Sequence, residues 1–130
     1  LAGLTGDTLA ATHLSATWIH GALDDPPPRH TLQRAVPRRL HHVIDRRIVY
    51  RDRQVDPDDL ERRAGVLVTS VARTVADLAR TADPEHDEAL AAWVRHDPTA
   101  FARAFAWFNA RPRLPHARLA RARLTAIRTT

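Results

Sequence analysis

Apolar positions along this chain follow two different rhythms. Between residues 30 and 70 they come as short runs and alternations; beyond residue 70 they return every three or four positions. The first rhythm belongs to strands and the second to amphipathic helices. Thr31–Val36 alternates, with Leu32, Arg34 and Val36 on one side, until Pro37 ends the strand or puts it at a sheet edge. Arg38–His42 and Val43–Ile44 follow, and Ile48–Arg51 is the next strand. Val66–Thr69, a β-branched run after Gly65, reads as a buried third strand. Gln54–Glu61 holds Pro57 and several aspartates, so it reads as a turn entering a short helical piece, with Leu60 its only buried residue.

Helix signals frame the rest. Thr12 is a good N-cap and Gly21 a good left-handed terminator, with Leu14 and Trp18 facing the core between them. Asp24–Arg29 carries three consecutive prolines and must be a stiff surface loop. Ser70 offers a cap to a helix whose apolar face is Val71, Val75 and Leu78, with Arg73 and Asp77 one turn apart on the other side. Asp83-Pro84-Glu85 and Asp97-Pro98 are helix starts. Their stripes are Ala89, Leu90, Trp93 and Val94, then Phe101, Ala104, Phe105 and Phe108. After a loop at Arg111–Pro115, a last helix over His116–Arg128 turns Leu119, Leu124 and Ile127 inward. The expected fold is one α+β domain over residues 1–130. An N-terminal helix precedes a small sheet of three to four strands, and a C-terminal run of about four helices follows. Residues 1–80 hold the helix, the sheet and the first covering helix; residues 81–130 are helical and Arg-rich.

Composition narrows the chemistry. The chain has 44% hydrophobic and 27% charged residues, the balance of an ordinary globular domain. No apolar run approaches a membrane span and no signal-peptide layout is visible, so a cytoplasmic protein is expected. Without cysteine there are no disulfides, thiolate metal sites or cysteine nucleophiles. All 20 basic residues are arginine. Lacking lysine, the chain cannot build a Schiff-base site, a Walker P-loop or an acid–acid–lysine nuclease centre. It also lacks methionine, so it is expected to be part of a longer protein. The net charge of +5 is uneven: from Arg111 onward there are six arginines and no acid.

The basic tail is a candidate phosphate-contacting surface, with Arg111, Arg113, Arg118, Arg121 and Arg128 as its contacts. A solvated helix face is the plainer reading of the same residues. Arg38 and Arg39 join the candidates, within a cluster of Arg34, Arg38, Arg39, Arg46, Arg47, Arg51 and Arg53 around the first two strands. Tyr50 is the only tyrosine, so stacking of single-stranded bases has little to work with. Eight histidines invite a metal, but none stand in H-x-x-x-H spacing, and no metal or cofactor is expected. Asp52, Asp56, Asp58, Asp59 and Glu61 form an acidic cluster, read as solvated acids rather than a catalytic pair. No catalytic residue is assigned.

Two segments carry a family resemblance. Val68–Ala79 resembles the "V-T-S-x-A-R-T-x-x-D-L-A" segment of AbiEi-type antitoxins of bacterial type IV toxin–antitoxin systems. Thr12–Gly21 is similar to that family's "S-H-x-S-A-A-x-x-x-G" helix, with Thr12 in place of Ser and Thr17 in place of Ala. The matching positions are Ser15, Gly21, Thr69, Ser70, Arg73, Thr74 and Asp77, which serve either the strand-to-helix joint or a partner surface. The resemblance implies a non-enzymatic antitoxin and transcriptional-regulator domain that counteracts a nucleotidyltransferase-like toxin. It also implies a winged helix upstream that reads DNA, for which there is no room before Thr12. An alternative is the auxiliary nucleic-acid-binding domain of a Vsr-like nuclease protein, where a related module occurs.

Overall fold

A computed structural model of the chain describes residues 1–41 and 45–129. His42, Val43 and Ile44, read above as following the first strand, lie outside the described residues, as does Thr130. The elements run α1 (Ala2–Thr5), β1 (Leu9–Ala11), α2 (His13–Ile19), β2 (His30–Arg34), β3 (Ile48–Gln54), a 3-10 turn (Pro57–Asp59), β4 (Leu60–Arg63) and β5 (Val66–Thr69). Four helices follow: α3 (Val71–Ala79), α4 (Pro84–His96), α5 (Ala100–Asn109) and α6 (Ala117–Arg128). Among the described residues no helix is long and apolar enough to cross a membrane.

This corrects the expected architecture. The sheet is not a small one of three or four strands but a five-stranded mixed sheet in the order β3-β2-β1-β5-β4. The helix order differs too, because a short helix and the central strand both precede the Thr12–Gly21 helix. Two strands escaped the sequence reading for physical reasons. β1 is only three residues, two of them alanine, a poor strand former. It is extended because both edges are paired: antiparallel to β2 through Leu9–Arg34, Ala10–Gln33 and Ala11–Leu32, and parallel to β5 through Ala11–Val68. β4 sits in a segment of charged residues, and its register with β5 runs from Leu60–Thr69 to Arg63–Val66. A two-residue turn at Ala64-Gly65, both at positive φ, closes that hairpin.

Two apolar clusters flank α2. Leu9, Ala11, Ala16, Leu32, Ile48, Val66 and Val68 pack on the sheet. Leu14 joins Val75, Leu78, Leu90, Trp93, Phe101, Phe108 and Leu124 among the helices. One helix thus feeds both layers, with Ala16 small enough to approach the strands. Polar cross-ties fix it there. Trp93 Nε1 donates to Thr17 Oγ1 at 3.1 Å, and the His20 ring reaches the Thr69 carbonyl at 2.8 Å. Trp18, expected in the core, is only half-buried.

Helix starts match their signals unevenly. Asp83 accepts from the His86 N–H at 2.8 Å, as an N-cap should. Asp97 instead closes a local turn onto the Thr99 N–H and hydroxyl, so α5 begins two residues later than its Asp-Pro signal suggested. On α6 the inward face is Ala120 and Leu124; Leu119, expected inside, is 66% exposed.

Candidate functional site: an arginine-lined pocket

The site begins with α3. Ser70 Oγ accepts from the Arg73 N–H at 3.2 Å and so caps the helix. The Thr69 and Thr74 hydroxyls meet at 2.6 Å across the joint. That geometry turns Arg73 and Asp77 toward the protein rather than toward solvent. The Asp77 side chain is 4% exposed and that of Arg73 14%. Arg73 Nε donates to Asp77 Oδ1 at 2.9 Å, and its Nη1 to Asp59 Oδ2 at 3.0 Å. Burial opposes the Arg73 charge, but Asp77 and Asp59 outweigh it and hold the guanidinium pKa above its usual value.

Asp59 is the residue the sequence reading placed wrongly. Expected as a solvated acid beside a buried Leu60, it is itself buried and Leu60 is half-buried. It ends the 3-10 turn, where the Ser70 N–H donates to its carbonyl at 2.8 Å. Its carboxylate accepts from Arg73 and from Trp107 Nε1 at 3.1 Å, and Arg111 approaches to 3.5 Å. The guanidinium of Arg111 lies 4.1 Å from the Trp107 ring centroid, and that of Arg73 5.5 Å. The turn, α3 and the end of α5 are thereby tied together by charge.

Above this network opens a pocket of about 750 Å³. Its walls come from β3, α3, the start of α2, the end of α5 and the loop before α6. Arg51, Asp52 and Arg53 enter from β3, where a bulge follows Arg51. The β2–β3 register shifts between Gln33 and Arg34, so Gln33 pairs with Arg51 but Arg34 with Gln54. The intervening Asp52 and Arg53 are thrown out of regular pairing, as bulges do to re-aim side chains. Arg80, just past α3, also lines the pocket. Burial lowers its pKa, and the nearby charges of Arg73 and Arg53 add to that against the pull of Asp77. Among the described residues Arg51, Arg53 and Arg80 have no carboxylate within salt-bridge distance.

His13 forms part of the floor. Its backbone is left-handed, with φ 51, at the very start of α2. The ring is buried and its Nδ1 lies 2.8 Å from Thr12 Oγ1. Thr12 therefore precedes the helix without capping it through its side chain. Burial pushes the His13 pKa down to about 4, so the ring is neutral at pH 7.

The candidate phosphate contacts scatter. Of these Arg111 lines the pocket, beside the loop residue His116, which was not among them. Arg38, Arg113 and Arg118 are exposed elsewhere. Arg39 is held by Asp52 at 3.0 Å, and Arg128 stacks over the Phe105 ring at 5.0 Å. Arg121 is half-buried. Arg123, not singled out from sequence, anchors α6 by bonding the Leu78 and Ala79 carbonyls and Asp87. Of the motif residues, Ser15, Thr69, Thr74 and Asp77 are buried. Ser15 Oγ accepts from the Thr31 N–H at 2.9 Å, and Gly21 takes φ 88 where α2 stops. No group of three or more His, Asp or Glu that could hold a metal ion occurs among the described residues. In comparisons with known proteins, no family model, curated protein or solved structure matches this chain.

Proposed function

We propose that this chain is a non-catalytic, nucleic-acid-binding regulatory domain of the AbiEi antitoxin type. In this reading it acts in the bacterial cytoplasm to counteract a nucleotidyltransferase-like toxin. The observation that carries the binding part is the convergence of Arg51, Arg53 and Arg80 on one pocket without carboxylate partners. Asp52, Asp56, Asp59 and Asp77 also line the pocket and offset part of its charge, but Arg51, Arg53 and Arg80 pair with none of them, and an oxyanion can accept their forked N–H donors. Arg73 and Arg111 stand behind them, committed to Asp59 and Asp77, so they shape the pocket more than they charge it. The antitoxin part rests on the two segments whose residues build the α2 and α3 joints. Binding rather than turnover suits the floor of the pocket, where the His13 ring is buried beside Thr12.

Growth of bacteria expressing the neighbouring nucleotidyltransferase-like gene is the direct test. Co-expression of the full gene containing this chain should restore growth, and deletion of residues 66–80 should abolish the rescue. A gene neighbourhood with no such toxin, together with nuclease activity from an adjoining domain, would sink the antitoxin reading.

A further inference from the structure

The pocket has a shape that a duplex backbone does not match. A duplex is a broad convex rod that offers its phosphates along a rim. This site is a concavity of about 750 Å³, within the size range of pockets that enclose small ligands. Three guanidinium groups without ion-pair partners line it, Arg51 and Arg53 on β3 and Arg80 at the end of α3, beside the carboxylates of Asp52, Asp56, Asp59 and Asp77. A backbone phosphodiester has two free oxygens and one negative charge to offer them. A terminal phosphomonoester has three acceptor oxygens and a charge of about −1.5 to −2. Three forks lining one pocket match the second better than the first. The start of α6 adds to this. His116, the residue before that helix, lines the pocket and gives the helix no side-chain cap, so the positive end of a twelve-residue helix lies by the site.

We propose that the pocket receives a phosphomonoester, with Arg51, Arg53 and Arg80 as its ligands. The inference rests on the nucleic-acid reading of the same site and narrows it. The phosphate belongs to the end of a single strand or to a free nucleotide, and the test separates these sources.

Binding of a short single strand with a 5′-phosphate is compared with that of the same strand ending in a 5′-hydroxyl, by fluorescence anisotropy. AMP and inorganic phosphate are titrated in parallel by calorimetry. The phosphorylated strand should bind roughly tenfold more tightly or better, since bonds to a charged group are the strong ones. Arg53→Gln with Arg80→Gln should erase that advantage. Arg51→Gln, at an exposed side chain, should reduce it by itself. Binding of AMP or phosphate without any strand binding supports the monoester, names a free ligand as its source, and overturns the nucleic-acid reading. Equal binding of both strands with no AMP binding overturns this inference and leaves that reading intact. If none of the probes binds, both fail.

Discussion

Arg73 and His13 show how far one side chain's setting decides its role. From sequence, Arg73 and Asp77 look like an exposed pair one turn apart, worth roughly 0.3–0.5 kcal/mol. In the fold the guanidinium is wedged between two buried carboxylates, and removing it strands them. Arg73→Met is expected to cost about 3–5 kcal/mol, the usual penalty for breaking a buried pair from one side. Adding Asp77→Asn should return part of it. Urea midpoints of the single and double variants measure this, and a loss below about 1 kcal/mol would show the network to be solvated. His13 acts through a proton it does not bind. Its folded pKa of about 4 lies below the unfolded 6.5, so between these values the unfolded chain binds more protons. Stability is therefore full above pH 6.5 and falls as the pH drops toward 4, by about 2 kcal/mol at pH 5. The charges around the ring are Asp77 and Arg73 on α3, Arg51 on β3 and His86 on α4, and only Asp77 favours protonation. Burial also pushes His20 down, in the same direction. His13→Asn keeps a residue that tolerates a left-handed backbone. It should make the urea midpoint at pH 5 lie closer to that at pH 7. A variant as acid-sensitive as the parent would assign the effect to another group.

Elements were legible in proportion to how locally they are determined. α3 and α4 carry their stop and start signals in their own sequence: Ser70 and Asp83 cap them, and their apolar stripes are buried. Val66–Thr69 was readable because a β-branched run after glycine has few other fates. β1 was not, because two alanines become a strand only when β2 and β5 pair with them from both sides. β4 was hidden by charge: Arg62 and Arg63 are exposed on an edge strand whose pairing comes from the following turn. That turn puts Ala64 at φ 50, where Asn or Gly would be the usual signal. α6 was rotated by one choice of stripe. Leu124 and Ile127 do pack against the core, but Leu119 does not: the helix docks through Ala120, Leu124, the partly buried Ile127 and the Arg123 anchor. Leu119→Gln should therefore change stability by less than about 0.5 kcal/mol. Leu124→Ala, at a fully buried site, should cost about 2–5 kcal/mol. Thermal melts of the two variants compare the faces directly, and similar losses would mean that the helix is rotated.

For the whole molecule the sequence located the charge but not the site. The tail after residue 110 holds six arginines and no acid, and it was natural to place the phosphate contacts there. Folding redistributes them: Arg123 is spent as an anchor, Arg128 lies over Phe105, and only Arg111 enters the pocket. The arginines that do converge belong to β3 and to a helix end 27 to 29 residues further along the chain, which no local pattern could join. Arg51 and Arg53 were visible as members of a basic cluster; Arg80 gave no signal, because its role depends on which wall faces β3. Two sets of arginine can thus be told apart by salt. Neutralising a phosphate on a single strand releases counterions with a log–log slope of about −0.7 per contact. The three pocket arginines gather one terminal phosphate, so they predict a slope of only about −0.7 for a short single strand. Arg53→Gln with Arg80→Gln should flatten it toward zero, since that phosphate loses two of its three ligands. Arg113→Gln with Arg118→Gln, both exposed outside the pocket, should leave the slope nearly unchanged. A titration in which the tail variants flatten the slope and the pocket variants do not would return the nucleic-acid surface to α6 and its preceding loop.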